Sequence, residues 1–133
     1  MVQHTAPEAG EYIALRLAAG LSPKDEAAAR IALKNSIYAV SLRSSDKLVG
    51  MGRIIGDGGC FYQVVDIAVD PAFQGRGLGN RIMTELMNAM DAHAPDGAYV
   101  SLLADVPADR LYQKFGFTYT APQSLGMYKK YPL

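Results

Sequence analysis

Val65-Asp66-Ile67-Ala68-Val69-Asp70-Pro71 runs without a break into Ala72-Phe73-Gln74-Gly75-Arg76-Gly77-Leu78-Gly79-Asn80. The first half belongs to a stretch, Phe61–Val69, in which Val64, Val65, Ile67 and Val69 put β-branched residues on both faces, as a central strand requires. Pro71 ends it. From Leu78 onward the apolar residues fall at Leu78, Ile82, Met83, Leu86, Met87 and Met90. That spacing draws one stripe along a helix reaching about His93, while Asn80, Arg81, Thr84, Glu85, Asn88 and Asp91 face the other way. Strand, glycine loop and amphipathic helix form the kernel from which the rest of the chain is read.

On the N-terminal side, residues 7–34 alternate Ala/Leu clusters with charged positions, and Gly20-Leu21-Ser22-Pro23 interrupts them. The expectation is two helices joined by a turn, with Ser22 capping the second and Pro23 as its first residue. Residues 36–43 (Ile37, Tyr38, Val40, Leu42) read as a strand, Ser44-Ser45-Asp46-Lys47 as a turn, residues 48–55 as the returning strand, and Gly56-Asp57-Gly58-Gly59 as a second turn. On the C-terminal side, Pro95-Asp96-Gly97 turns into a strand over residues 98–103. Pro107 starts a short helix ending near Phe115, with Gly116 as its stop, and a last strand over residues 126–131 closes the chain. The order is helices, a β-meander, then strand, helix, strand, helix, strand, which gives a mixed α/β sandwich without repeats.

Length and composition bound the function. With 133 residues, half of them apolar, the chain reads as one domain over 1–133 able to bury a core unaided. Thirteen Lys and Arg balance thirteen Asp and Glu, so no global field recruits nucleic acid or an anionic membrane. The single cysteine, Cys60, has no His or Cys at zinc-ligand spacing, and no metal is expected. With no basic leader region and no run of eighteen apolar residues, the expectation is a soluble protein of the reducing cytoplasm.

The glycine loop has a direct chemical reading. Glycines let backbone N–H groups crowd around an anion, and a helix N-terminus adds about half a positive charge. Arg76 and Arg81 can add charge-assisted bonds to a phosphate or pyrophosphate. A Walker loop is excluded because Gly79 is followed by Asn80 and not by Lys and a hydroxyl residue. The dinucleotide fingerprint fails as well, since its third glycine falls on Asn80 and the loop follows a meander. A glycine turn that merely tightens a corner is the plain alternative; three glycines alternating with Arg76 at a helix mouth favour the anion site.

These residues resemble the GNAT (GCN5-related) N-acetyltransferases, whose motif Q/R-x-x-G-x-G/A follows a central strand; Gln74, Gly77 and Gly79 match it. Leu111-Tyr112-Gln113-Lys114-Phe115-Gly116-Phe117 is similar to the family's downstream L-Y-x-K-x-G-F block. The resemblance runs from about Ser36 to the C-terminus. It implies an α/β (α+β) fold with a mostly antiparallel central sheet flanked by helices, and a splayed pair of parallel strands holding acetyl-CoA. By the same resemblance, Ile67, Ala68 and Val69 would pair with the pantetheine arm, and the pyrophosphate would meet N–H groups of Gly75, Arg76, Gly77, Leu78, Gly79 and Asn80. Asp105 stands where the family often has Asn; it can accept a bond from pantetheine but cannot donate one.

Tyr112, by resemblance, is the candidate general acid for the departing thiolate, against the alternative of a packed aromatic with a wet hydroxyl. Asp66 is a carboxylate inside a central strand, where burial is costly without a partner. It reads either as an anchor or proton acceptor for the incoming ammonium, or as a structural partner for Arg53 or another basic side chain. The backbone N–H of Ile67 or Ala68 would polarise the thioester carbonyl. His4, His93 and Cys60 read as bystanders, and Tyr99 and Tyr128 as packing. The expected activity is direct acetyl transfer from acetyl-CoA to a small primary amine: an amino acid, a polyamine or an amino sugar. An amino-sugar phosphate such as glucosamine phosphate, a peptide or protein amine, and a non-catalytic acyl-CoA-binding module are the alternatives. Family members often pair through their C-terminal strands, and the tail Met127-Tyr128 with Tyr131-Pro132-Leu133 suits such a homodimer.

Overall fold

The computed structural model describes residues 1–133. The elements are β1 (Val2–Gln3), α1 (Ala9–Ala18), α2 (Glu26–Lys34), β2 (Tyr38–Ser44), β3 (Lys47–Gly56), β4 (Phe61–Val69), α3 (Leu78–His93), β5 (Tyr99–Ser101) and α4 (Asp109–Gln113). They form one five-stranded sheet in the order β1-β2-β3-β4-β5. The first three pairings are antiparallel and β4 with β5 is parallel. The mixed, mostly antiparallel sheet flanked by helices is thus the one expected.

The sheet is buried on two faces by two separate clusters. On one face α3 lays Ile82, Met83, Leu86 and Met90 against Val40, Leu42, Ile54 and Val64. This is the stripe read from its spacing, and Ile82, Met83 and Leu86 have no exposed surface at all. On the other face α1 and α2 close over Met51 and Ala68 with Tyr12, Leu15, Ala29 and Leu33.

Two features of β4 decide where a site can form. First, it pairs with β5 only over Phe61, Tyr62 and Gln63; from Val64 onward the edge facing β5 is open, so the parallel pair splays. Second, Met51 pairs with Ala68 and Arg53 with Val65, so Asp66 and Ile67 together oppose the single Gly52. That is a β-bulge, with Asp66 at φ 61°. Side-chain alternation skips a beat there: Val64 and Ile67, three positions apart, both pack on the α3 face. Gly52 makes room, because a Cβ on it would lie 2.6 Å from both Ile67 Cδ1 and Ile82 Cγ2.

Three expectations are corrected. Ser22 does not cap α2: the helix starts at Glu26, and Asp25 caps it by accepting the Ala28 N–H at 2.9 Å. Ser22 instead gives its carbonyl and hydroxyl oxygens to Arg16, each at 3.1 Å. Residues 126–131 form no strand. β5 ends at Ser101 and offers no ladder that far, so this segment leans on side chains, with Gly126 close against Leu103. The strand over 98–103 is accordingly short, and the turn after β4 contains a single 3₁₀ turn, Pro71–Phe73, capped by the Asp70 carboxylate.

Candidate active site

The loop between β4 and α3 is shaped by glycines in the left-handed region, Gly75 at φ 80° and Gly77 at φ 77°. Gly77 is the N-cap of α3 and has nothing within 4 Å of where a Cβ would stand. From Gly75 through Asn80, six consecutive backbone N–H groups donate to no acceptor in the chain. Helix starts always leave N–H groups over, but a run this long, at the positive end of a sixteen-residue helix, is suited to cradle an anion. Gln74 braces it by donating from its side chain to the Val69 carbonyl at 3.2 Å.

That cradle opens into a cavity of about 360 Å³ lined by Ile67, Ala68, Val69, Gln74, Gly75, Gly77, Leu78, Gly79 and Tyr112, with Leu21, Ala108 and Leu111. The open β4 edge, the glycine loop and the tyrosine named from sequence are thus brought together. Leu111 fixes α4 over the loop, its Cδ2 lying 3.3 Å from a Cβ placed on Gly79. Arg76 does not line this cavity; its guanidinium lies 5.0 Å from the centroid of the Phe73 ring. Asn80 contributes its N–H, and Arg81 turns to Glu85 at 3.3 Å.

Tyr112 is half-buried and its hydroxyl has no protein partner. Burial, and then the charge of Asp105, raise its pKa above the ordinary phenol value, which keeps the group protonated at neutral pH.

Asp66 meets three partners that come from distant segments. Arg16 Nη1 pairs with its Oδ1, and the Tyr12 hydroxyl and Arg53 Nε each donate to Oδ2 at 2.8 Å. Of the two sequence readings, this geometry is that of a structural partner to arginines. The carboxylate is 7% exposed and both guanidiniums are similarly enclosed, with the Tyr12 ring about 6 Å from each. Burial beside Asp66 pushes the Tyr12 phenol up to about 12. The sequence reading missed Tyr12 and Arg16. They stand four apart on α1, on one helix face, and an arginine among alanines and leucines there was the available signal.

This cluster walls a second cavity of about 690 Å³, which shares Leu21 with the first. Asp105 lines this second cavity and not the loop cavity, as do Tyr128 and Lys130 from the tail. Tyr128, read as packing, is exposed at its rim, and Tyr99 is exposed beside Phe61. His4 pairs with Glu85 at 2.7 Å and His93 stacks on Tyr38, both away from the two cavities. Cys60 is a free, exposed thiol, and no cluster of three metal-ligating side chains is present.

A run of free N–H groups beside an open strand edge thus lies next to a second cavity whose wall holds Tyr12, Arg16, Arg53 and Asp66. The acetyltransferase (GNAT) domain pattern matches residues 14–126, and the chain belongs to the GNAT acetyltransferase family. A solved structure of SA2161 from meticillin-resistant Staphylococcus aureus, described as a probable acetyltransferase, is 48% identical, superposes with a TM-score of 0.94 and is covered, like this chain, over 98% of its length. The uncharacterized N-acetyltransferase ycf52 of Porphyra purpurea is 34% identical over 66% of this chain and 52% of its own length. N-alpha-acetyltransferase RimI of Mycobacterium tuberculosis is 36% identical over 71% of this chain and 57% of its own. The chain thus spans about half the length of these curated relatives. Glucosamine-6-phosphate N-acetyltransferase of Arabidopsis thaliana shares the fold at 17% identity, with a TM-score of 0.69 over 99% of both chains.

Proposed function

We propose that the chain transfers the acetyl group of acetyl-CoA directly to the primary amine of a small molecule. The observation that carries this is the run of six unpartnered N–H groups, residues 75–80, whose loop lines one cavity at Gly75, Gly77, Leu78 and Gly79 together with the open edge of β4 and Tyr112. The pyrophosphate fits the N–H run, and the pantetheine amides fit the β4 edge left open toward β5 over residues 67–69. In the reaction the neutral amine nitrogen bonds to the thioester carbon, the carbon–sulfur bond breaks, the amine gives up a proton to water and the thiolate gains one. Backbone N–H groups of the bulge polarise the carbonyl, and Tyr112, protonated and unengaged, supplies the thiolate proton. The products are an N-acetyl amine and free coenzyme A.

Asp66, held by two guanidiniums and a phenol, orients the α1 wall of the acceptor cavity. Asp105, at that cavity's edge and close enough to raise the Tyr112 pKa, is the carboxylate better placed to meet an ammonium. Free-thiol release from acetyl-CoA against a panel of amines tests the assignment. Turnover with at least one small amine is the expected result; tight coenzyme A binding with no turnover on any amine would favour a non-catalytic binding module.

A homodimer is the second proposal. Leu125, Met127, Tyr128, Tyr131 and Leu133 are all exposed along the tail, and a groove of about 530 Å³ separates β5 from residues 115–120. The tail of a second copy suits that groove, as an added strand on β5. Light scattering of the full chain against one lacking residues 126–133 checks it: a dimer that becomes a monomer is expected. No helix is long and apolar enough to cross a membrane, and the reading places the enzyme in the cytoplasm, where Cys60 would stay reduced.

A further inference from the structure

The acceptor cavity carries a charge imbalance that acetyl transfer alone does not need. Arg16, Lys24, Arg53 and Lys130 line it against only two carboxylates, Asp66 and Asp105. Asp66 offsets one of the two buried guanidiniums, so the enclosed group of Arg16, Arg53 and Asp66 keeps one positive charge.

Arg53 is fixed in place and only partly spent. Its Nε donates to Asp66 at 2.8 Å, and its Nη1 donates to the Ala32 carbonyl at 3.1 Å and to Ser36 Oγ at 2.9 Å. Nη2 donates to nothing in the chain. No fully enclosed side-chain nitrogen or oxygen lacks a partner, so Nη2 reaches open space, and the cavity Arg53 lines is the acceptor cavity. The side chain is otherwise 6% exposed. A rigid guanidinium with two unspent N–H donors in a low-dielectric wall matches the oxygens of a carboxylate or phosphate, and such charge-assisted bonds gain strength away from bulk water.

We propose that the acceptor is an amine bearing its own anionic group, a carboxylate or a phosphate, held by Arg53 Nη2 with Lys24 and Lys130 at the cavity mouth. This rests on the acetyl-transfer reading and narrows it. A polyamine would bring further positive charge against a wall that is already positive, and is disfavoured. The same cations lower the pKa of a nearby ammonium, which raises the share of neutral amine available to attack.

Matched pairs in the thiol-release assay test this: amino acids against their amides, glucosamine 6-phosphate against glucosamine, with spermidine alongside. The anion-bearing member of the preferred pair is expected to have a kcat/KM at least about tenfold higher, mostly through KM. The carboxylate and phosphate arms show which anion it is. The preference should fall about fivefold or more in Arg53→Lys, which keeps a charge for Asp66 but loses the second nitrogen, and also in the surface variant Lys24→Ala/Lys130→Ala, whose folding is not at risk. The KM for acetyl-CoA should not move in either. Equal or better turnover of the neutral members or of spermidine, or a preference unchanged in both variants, overturns this inference alone. No thiol from any amine overturns the acetyl-transfer reading and this inference with it.

Discussion

The two cavities that meet at the β4 bulge are made of different material. The loop cavity is built largely from main chain, the loop at Gly75, Gly77, Leu78 and Gly79 and the open edge of β4, with Tyr112 as the one reactive side chain. The second cavity takes its polar wall from side chains, Tyr12 and Arg16 of α1, Arg53 of β3 and Asp66 of β4, tied to one another. A backbone site needs only local conformation, so it withstands side-chain change and fails when a glycine is lost. A side-chain site depends on charges balancing in a low dielectric, so it fails when one partner is removed.

The largest effect should come from the side-chain site. Asp66→Ala leaves two buried guanidiniums uncompensated and strips a left-handed position of a residue that tolerates it, so a stability loss of about 3–5 kcal/mol is expected in denaturant unfolding. Asp66→Asn, which keeps the backbone preference and one acceptor oxygen, should lose less. An alanine variant as stable as the parent would break the view that the cluster holds itself together.

On the backbone side, Gly77→Asp sets a charge against the phosphate site at a φ of 77°, and calorimetric titration should find acetyl-CoA affinity lowered by about 10²-fold or more. Gly77→Ala, which adds only a methyl in open space, should bind within several-fold of the parent at a cost of about 1–2 kcal/mol in stability. If the aspartate variant still binds, the N–H run is not the cradle.

Tyr112→Phe sharpens the one place where the loop cavity relies on a side chain. We expect kcat to fall by about 10² with little change in acetyl-CoA binding. Because burial and Asp105 raise the Tyr112 pKa above its usual 10.0, the acid stays protonated through neutral pH and its loss should appear in kcat only above about pH 10. An alkaline limb near pH 8 that vanishes in Tyr112→Phe would contradict that assignment of burial.

The smallest effect is a control on the same helix. Glu11 of α1 pairs with Arg43 Nη1 at 2.9 Å in a partly exposed setting, and that bond lowers its pKa below 4.5. A depressed carboxylate stabilises the fold fully above the unfolded value and loses that contribution as pH falls through the folded one. Glu11→Gln should therefore flatten the acid limb of stability below about pH 4.5, by less than about 1 kcal/mol, in pH-dependent thermal unfolding. A loss matching Asp66→Ala would erase the contrast between buried and half-exposed pairs.

How much was legible follows the same division. The α3 stripe, the central strand and the glycine loop are local patterns, and the structure reproduces them where the sequence put them. The turn between the first two helices was misread because Ser22 looks like a cap, while its oxygens serve Arg16 on the preceding helix. The closing strand was misread because strand propensity at residues 126–131 says nothing about whether a neighbour with free N–H and C=O groups lies alongside.

The sequence by itself determined the glycine loop and the free N–H groups at the start of α3, because glycine spacing and a helix start act through backbone geometry that neighbouring residues set. It also marked Asp66 as a residue that must find a partner. Only the tertiary structure decided which partners: residues 12, 16, 53 and 66 converge because the bulge opposite Gly52 turns Asp66 toward α1. Charge pairing across fifty residues leaves no spacing to read, and the polar part of the second cavity's wall depends on it.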